Sequence, residues 1–238
     1  MSDEPNDFKD LYFEQRLQTE EQRHAMHRLD YNWVRAKLGK NLSKRLTVLD
    51  IGCSDGHFLN QFPQKNFNLF GIEPNKKQAE ISQRLGIQII QPVTSFENFD
   101  IVIIRGTLHH LPNSNNFLDE LSHSFSNLDR AKYFFALANP NSESFLFKSF
   151  GTLPALEKSP TFESIFKVWG GKELANLLES KGAQVDLCYP YFRSPYKKIF
   201  SDFPNLWISL ISNSYRNFAF PRNMFNLAAK FPATKPIN

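Results

Sequence analysis

The sequence has few of the residues that build disulfide or metal frameworks. Its 238 residues include two cysteines, Cys53 and Cys188. Neither cysteine belongs to a Cys-x-x-Cys pair or lies near a histidine at zinc-ligand spacing. We therefore predict no structural metal, and the low cysteine content fits a reducing compartment.

Long hydrophobic segments are also missing. The longest apolar runs, 101–104 and 133–138, are far shorter than the roughly 20 residues that a membrane-spanning helix needs. The first residues are acidic and polar, where a secretory signal would carry a basic segment followed by an apolar one. With 41% hydrophobic and 22% charged residues, the composition predicts one folded globular domain located in the cytoplasm.

The charge of the sequence is unevenly distributed. Residues 1–22 contain seven acidic and two basic side chains, a balance of −5, whereas residues 190–238 contain seven basic side chains and one acidic, a balance of +6. A solvated surface explains this pattern. A basic segment that also contains Tyr, Phe and Trp fits RNA, an anionic membrane surface or a phosphorylated small molecule as well.

The order of apolar patterns predicts an α/β fold. Residues 7–40 are rich in helix formers and predict one or two helices, an N-terminal helical cap over residues 1–40. After it, short apolar runs alternate with helical patterns, which favours a doubly wound, mostly parallel sheet with helices on both faces. The predicted strands are 47–51, 69–73, 87–90, 101–104, 133–138 and 185–189, and the predicted helices are 57–62, 76–85, 116–125 and 171–181. The core spans 41–192, and 193–238 form a C-terminal extension with a lid and a last strand.

The most informative motif follows the first predicted strand. Asp50 ends the strand, Gly52 makes a sharp turn and Gly56 opens the predicted helix. A dinucleotide loop would require glycine at the positions of Ser54 and His57, so this is not a dinucleotide motif. The remaining pattern, Asp-x-Gly-x-x-x-Gly, lets a ligand approach the backbone closely without binding a pyrophosphate.

A second acidic residue ends the next strand. Glu73 lies 23 residues after Asp50 and is followed by Pro74. A carboxylate in this position can accept hydrogen bonds from both hydroxyls of a ribose. Because parallel strands end at the same edge of a sheet, the two acids are expected to bracket a nucleoside.

These motifs resemble the class I S-adenosylmethionine-dependent methyltransferases. The similarity rests on residues 49–59, on the strand end 71–74 and on residues 99–112. It implies a seven-stranded sheet, S-adenosylmethionine as cofactor and S-adenosylhomocysteine as product. The implied cofactor contacts are Asp50, Gly52, Cys53, Ser54 and Gly56 for the methionine part, Glu73 for the ribose, Pro74, Val93 and Thr94 for the adenine, and Arg105 and Gly106 near the sulfur.

The sequence departs from this family at several positions. Ser54 replaces a frequent glycine, and the pair Val93–Thr94 lacks the acid that often receives the adenine amine. Arg105 stands where many relatives have a neutral or acidic residue. It is expected either to pair with an acid such as Asp55 or to reach an anionic acceptor.

Two histidines follow the fourth strand. His110, or its neighbour His109, is positioned to act as general base for a hydroxyl acceptor; packing and solvent exposure are the alternatives. Some relatives bind a metal through acidic residues here, but Gly106 and His109 occupy those places, so no catalytic metal is predicted. Trp169 and Tyr12 are candidate acceptor contacts, with core packing as the alternative. His24 and His27 are expected on the surface, with contact to the acceptor as the alternative.

The leading functional prediction is in-line methyl transfer to an oxygen of a small-molecule or saccharide-type acceptor. Residues 193–196 and 223–230 resemble the C-terminal part of bacterial methyltransferases associated with saccharide synthesis, and the latter would supply an antiparallel last strand. One alternative is an RNA methyltransferase that uses the basic C-terminal region. Another is a non-catalytic cofactor-binding or scaffold protein with the same fold.

Overall fold

The computed structural model describes residues 20–39, 45–93, 95–126, 130–144, 147–148, 165–188 and 224–233. Their elements, in chain order, are α1 (Glu20–Leu38), β1 (Leu46–Ile51), β2 (Phe67–Ile72), α2 (Lys76–Arg84), β3 (Gln88–Ile89), β4 (Ile101–Arg105), α3 (Ser114–Ser124), β5 (Lys132–Pro140), α4 (Gly171–Ser180), β6 (Gln184–Cys188) and β7 (Met224–Phe231). Short 3-10 turns cover Leu59–Gln61 and Leu108–His110.

The strands form one seven-stranded sheet in the order β3-β2-β1-β4-β5-β7-β6. The pairs from β3 to β5 are parallel, whereas β7 runs antiparallel between β5 and β6. The predicted doubly wound, mostly parallel sheet is thus confirmed. The strand order reverses between β1 and β4, which places a ligand at the carboxyl ends of these strands.

The core lies on both faces of the sheet. On one face, α3 and α4 bury Leu118, Leu174 and Leu178 against β4, β5 and β7. On the other face, α1 and the first 3-10 turn bury Val34 and Phe62 against the sheet. Helix α1, the described part of the predicted N-terminal cap, therefore belongs to the packed core rather than to a separate layer.

One predicted helix is wrong. Residues 57–62 form a 3-10 turn over Leu59–Gln61 in place of a helix, and Phe62 N donates to Leu59 O at 2.9 Å. The exposed Pro63 follows directly and has no N–H to continue a helical ladder. The segment between Gly56 and Pro63 is therefore too short for an α-helix.

Strand β5 is longer than the sequence predicts. It continues past Ala138 to Pro140 because its pairing with β7 resumes after a register shift between Ala136 and Asn139. Ala138 lies within this irregularity with φ 51°, a conformation that L residues other than glycine rarely adopt. The irregularity lies at the carboxyl end of β5, on the ligand edge of the sheet.

The loop after β5 caps helix α4. Glu143 accepts hydrogen bonds from Lys172 N at 3.1 Å and from Glu173 N at 3.2 Å, and Asn141 Oδ1 accepts from Gly171 N at 3.1 Å. A carboxylate at this end also complements the helix dipole. The two side chains fix the start of α4 against the end of β5.

Replacing Glu143 by alanine is expected to lower the free energy of unfolding by about 1–2 kcal/mol, because it removes this cap. Urea denaturation followed by circular dichroism measures the change. Glu179→Ala near the other end of α4 is the control, and we expect it to leave stability nearly unchanged. Equal losses in both variants would contradict the capping role.

Candidate active site

The loop after β1 is held between the ends of β2 and β4. Gly52 N donates to Ile72 O at 2.8 Å. Gly52 and Gly56 have φ values of 76° and 74°, which favour glycine. A Cβ atom on Gly52 would lie 2.5 Å from Thr107 Oγ1. The backbone of this glycine therefore passes directly against the turn that follows β4.

Glu73 is fixed where β2 ends. Its Oε2 accepts a hydrogen bond from Ser54 N at 2.9 Å, and its Oε1 accepts from Asn75 N at 2.8 Å. Ser82 Oγ donates to Ser54 O at 2.7 Å, so the loop is tied to α2 as well. Each carboxylate oxygen has a second lone pair that can accept from a ligand hydroxyl. Glu73 is thus oriented beside the glycine loop.

Small residues pack closely around this loop. Cys53 is buried, and a Cβ atom on Gly71 would collide with its sulfur. Burial raises the pKa of the Cys53 thiol above its ordinary range, so the thiol is neutral. The buried, neutral thiol of Cys53 therefore packs inside the loop and is no nucleophile.

Asp50 is buried at the carboxyl end of β1. Its side chain is 2% exposed, and Oδ1 has no hydrogen-bond partner among the residues that the structure describes. Burial raises the pKa of this carboxyl to about 7; the charge of Arg105 opposes the rise, and Glu73 adds to it. A buried carboxylate oxygen without a donor is costly, so Asp50 is suited to accept from a cationic group of a ligand.

Arg105 pairs with α1 and not with Asp55. Its Nε donates to Asp30 Oδ2 at 2.8 Å, whereas Asp55 pairs with Arg23. Burial opposes ionisation of Asp55, but the hydrogen bond and charge of Arg23 outweigh it and lower the pKa of that carboxyl. Arg23 and Asp30 are seven residues apart, about two helical turns, so the same face of α1 meets both the glycine loop and the end of β4.

His27 lies inside the protein, so its predicted surface position is wrong. Its ring centroid is 5.9 Å from that of Phe58, and α1 holds it against the glycine loop. Burial, together with the charges of Arg105 and Arg23, lowers the pKa of His27 to about 2. The imidazole is therefore neutral. His24, one turn earlier, is half-buried and packs edge-on against His57.

His109 and His110 lie together in the 3-10 turn beyond β4. Their ring centroids are 4.0 Å apart; His109 is buried and His110 is half-buried. Gly106 precedes this turn with φ 63°, and a Cβ atom there would meet nothing closer than Ala138 O at 3.8 Å. The space where a Gly106 side chain would lie is therefore open.

The residues predicted to contact the acceptor and the adenine differ in their exposure. Trp169 is 3% exposed, and its Nε1 donates to Ser114 Oγ at 3.1 Å, which favours the packing alternative. Phe166, in the same segment, is 59% exposed, and its N donates to His109 O at 2.9 Å. Pro74 is exposed and Val93 half-buried. Tyr12 and Thr94 lie outside the described residues.

Sequence reasoning missed Phe166, Asp30 and Asn226. Asn226 is fully buried and donates to Asp30 Oδ1 at 3.1 Å. Neither Asp30 nor Asn226 belongs to a local motif, so the sequence gives no signal for this contact. Phe166 precedes Trp169 by three residues, and only the fold decides which of the two aromatic rings is exposed.

The described residues contain no group of three or more His, Cys, Asp or Glu side chains arranged to hold a metal ion. None of the helices described here combines the length and apolar character that crossing a membrane requires.

The reversal of strand order, the glycine loop after β1 and the oriented carboxylate after β2 define a class I S-adenosylmethionine-dependent methyltransferase. The chain belongs to the methyltransferase domain family, whose model matches residues 20–187.

A curated relative and several solved structures are similar to this chain. EEF1A lysine methyltransferase 2 of Danio rerio is 31% identical over 96 residues, which span 35% of this chain and 40% of the relative. The match therefore covers less than half the length of that relative. A methyltransferase structure from Thermotoga maritima, described as a possible histamine N-methyltransferase, has a TM-score of 0.53 at 17% identity and covers 87% of this chain and 97% of its own.

The plantazolicin methyltransferase BpumL, in complex with a monoazolic desmethylPZN analogue and SAH, has a TM-score of 0.58 at 13% identity. The alignment covers 95% of this chain and 89% of that one. At such low identities the two structural likenesses show the shared fold.

The residues present fit the cofactor. The unpartnered carboxylate oxygen of Asp50 suits the amino group of its methionine part. The oriented carboxylate of Glu73 suits its ribose hydroxyls. Gly52 turns the loop with φ 76°, a conformation that favours glycine, and the Thr107 side chain fills the space where its Cβ atom would lie.

Proposed function

We propose that this enzyme transfers a methyl group to an oxygen of a small-molecule or saccharide-type acceptor, with His110 as general base. The observation that carries the proposal is the pair His109–His110, which lies in the turn after β4, the strand beside which the strand order reverses. An imidazole in this place can take the proton of a hydroxyl as the oxygen forms its new bond. The saccharide preference rests on the resemblance of the C-terminal segments, which lie largely outside the described residues.

The cofactor side of this proposal is supported by the family resemblance and by the contacts of Asp50 and Glu73. Asp50 and the glycine loop, with Cys53 and Ser54, would hold the methionine part, and Glu73 would bind the ribose. Pro74, Val93 and Thr94 would border the adenine, and Arg105 and Gly106 would lie near the sulfur. The bound cofactor supplies a methyl group already activated on a sulfonium. The protein's own task is therefore to orient the acceptor and exclude water.

Replacing His110 by alanine is expected to slow methyl transfer by about a hundredfold, as loss of a general base does. Cofactor affinity is expected to stay within a factor of about two. Transfer of labelled methyl from S-adenosylmethionine to a panel of glycans and nucleotide sugars measures the first, and calorimetric titration measures the second. His123→Ala, at an exposed position on α3, is the matched control. An unchanged rate in the His110 variant would exclude the base role.

An amine acceptor is the second candidate, because the Danio rerio relative is named as a lysine methyltransferase. The same panel should therefore include lysine peptides. Incorporation into these peptides that persists in the His110 variant would favour the amine reading, since a deprotonated amine needs no base. The RNA alternative predicts a steep fall of RNA affinity with salt.

A further inference from the structure

Polar side chains form a buried row beneath α1, across the carboxyl edge of the sheet. Asp50, Arg105 and Asn226 come from β1, β4 and β7. On each of these strands, the residue two positions away packs in the same hydrophobic cluster as Val34 of α1. Because side chains alternate along a strand, all three polar residues face α1. Helix α1 adds Asp30 to this row.

Asp30 has partners on both carboxylate oxygens. Oδ2 accepts from Arg105 Nε at 2.8 Å, and Oδ1 accepts from Asn226 Nδ2 at 3.1 Å. The amide oxygen of Asn226 in turn accepts from Ala138 N at 2.6 Å. Asp30 is 2% exposed and Asn226 0%. Because Asp30 and Asn226 are buried and hydrogen-bonded to each other, this contact is rigid, and it fixes the Nε end of Arg105 from two distant parts of the chain.

Arg105 lies close to Asp50 without satisfying it. Asp50 pairs with Ile103 in the sheet register, so Arg105 is two residues further along the adjacent strand on the same face. Its positive charge acts on Asp50 and lowers the pKa of that carboxyl against the effect of burial. A guanidinium has several N–H donors, yet Asp50 Oδ1 has no hydrogen-bond partner among the described residues. The nearby cation is bound by Asp30 instead.

We propose that Asp30, anchored by Asn226, is a positioning residue that holds Arg105 away from Asp50 and so leaves the Asp50 carboxylate open to the cofactor's amino group. The inference rests on the proposed role of Asp50 and is independent of the acceptor. Two carboxylates compete for one guanidinium. Because α1 places Asp30 against the guanidinium, the carboxylate of Asp50 remains available for a ligand.

Asp30→Asn is expected to weaken binding of S-adenosylhomocysteine by about tenfold to a hundredfold near neutral pH, because Arg105 then binds Asp50 and competes with the ligand's amino group. The double variant Asp30→Asn/Arg105→Met removes the competing cation. We expect it to bind S-adenosylhomocysteine about tenfold more tightly than the single variant. Calorimetric titration with this product measures both affinities without an acceptor.

The pH dependence of binding gives a second readout. The titratable or charged groups around Asp50 are Glu73 after β2, Arg105 on β4, Cys53 in the loop, and Asp30, His27 and Arg23 on α1. Since the pKa of Asp50 is about 7, affinity in the native protein should fall as the pH drops below this value and the carboxylate is protonated. In Asp30→Asn, contact with Arg105 keeps Asp50 ionised. Affinity should then be weaker but nearly constant between about pH 6 and pH 8.

The controls distinguish a failure of the proposed role of Asp30 from a failure of the Asp50 assignment. Glu120→Gln, exposed on α3, should bind like the native protein, and thermal denaturation shows that each variant is folded. Native affinity in Asp30→Asn, or a double variant that binds no better than the single one, would overturn the positioning role. Native affinity in Asp50→Asn would overturn the assignment of Asp50 itself. Loss of binding in Asp50→Asn alone would leave that assignment intact and reject only the role of Asp30.

Discussion

Replacement of Glu73 by alanine is expected to weaken binding of S-adenosylmethionine and S-adenosylhomocysteine by about a hundredfold or more. Two effects add. The ribose loses hydrogen bonds to a charged acceptor, each worth about 1.5–3 kcal/mol. The loop also loses the acceptor for Ser54 N and Asn75 N, which Glu73 holds at 2.9 and 2.8 Å. Calorimetric titration of the variant with either ligand measures the loss.

Two further variants make this test specific. Glu80→Ala removes an exposed carboxylate from α2 and should leave affinity unchanged. Glu73→Gln keeps one acceptor oxygen, so its affinity should lie between those of the native and alanine proteins. If Glu73→Ala binds as tightly as the native protein, the ribose assignment is wrong.

Gly56→Ala is expected to lower the free energy of unfolding by about 2–5 kcal/mol, through a left-handed conformation and overpacking. The φ of Gly56 is 74°. An added Cβ atom would lie 2.5 Å from Ile87 Cδ1 and 2.7 Å from Ser82 Oγ, and both neighbours are buried. Ser82 cannot move freely, because its hydroxyl donates to Ser54 O. Urea denaturation measures the loss.

Gly182→Ala is the matched control for this substitution. Its φ is 87°, but an added Cβ atom would meet nothing within 4 Å. The control therefore carries the conformational cost without the collision, about 1–2 kcal/mol. Similar losses at the two positions would show that the packing around Gly56 yields, contrary to our expectation.

Local patterns predicted most of the fold. Buried strands such as β4 are continuous apolar runs, and the turn residues after β1 and β2 mark the ligand edge, so the order of elements follows from neighbours in the sequence. The helix at 57–62 was predicted wrongly because its helix-forming residues are ended by Pro63. The end of β5 depends on its partner β7, which the local pattern of 133–138 does not contain.

The polar contacts beneath α1 could not be predicted in this way. Arg105 meets Asp30 across 75 residues, and Asn226 meets it across 196. The sequence offered Asp55 as an equally reasonable partner for Arg105. Only the direction in which α1 crosses the sheet assigns Asp55 to Arg23 and Asp30 to Arg105. The burial of His27 follows from the same crossing.

The position of β7 bears on how the protein is completed during synthesis. Strands β1 to β5 are made before residue 141 and pair with one another in parallel, whereas β6 is made before β7, the strand with which it pairs. Asn226 lies on β7 and is therefore synthesised long after Asp30 and Arg105. If Asp30 positions Arg105 as proposed, the contacts beneath α1 are complete only after β7 has paired with β5. Cofactor affinity would then report whether β7 has folded into place.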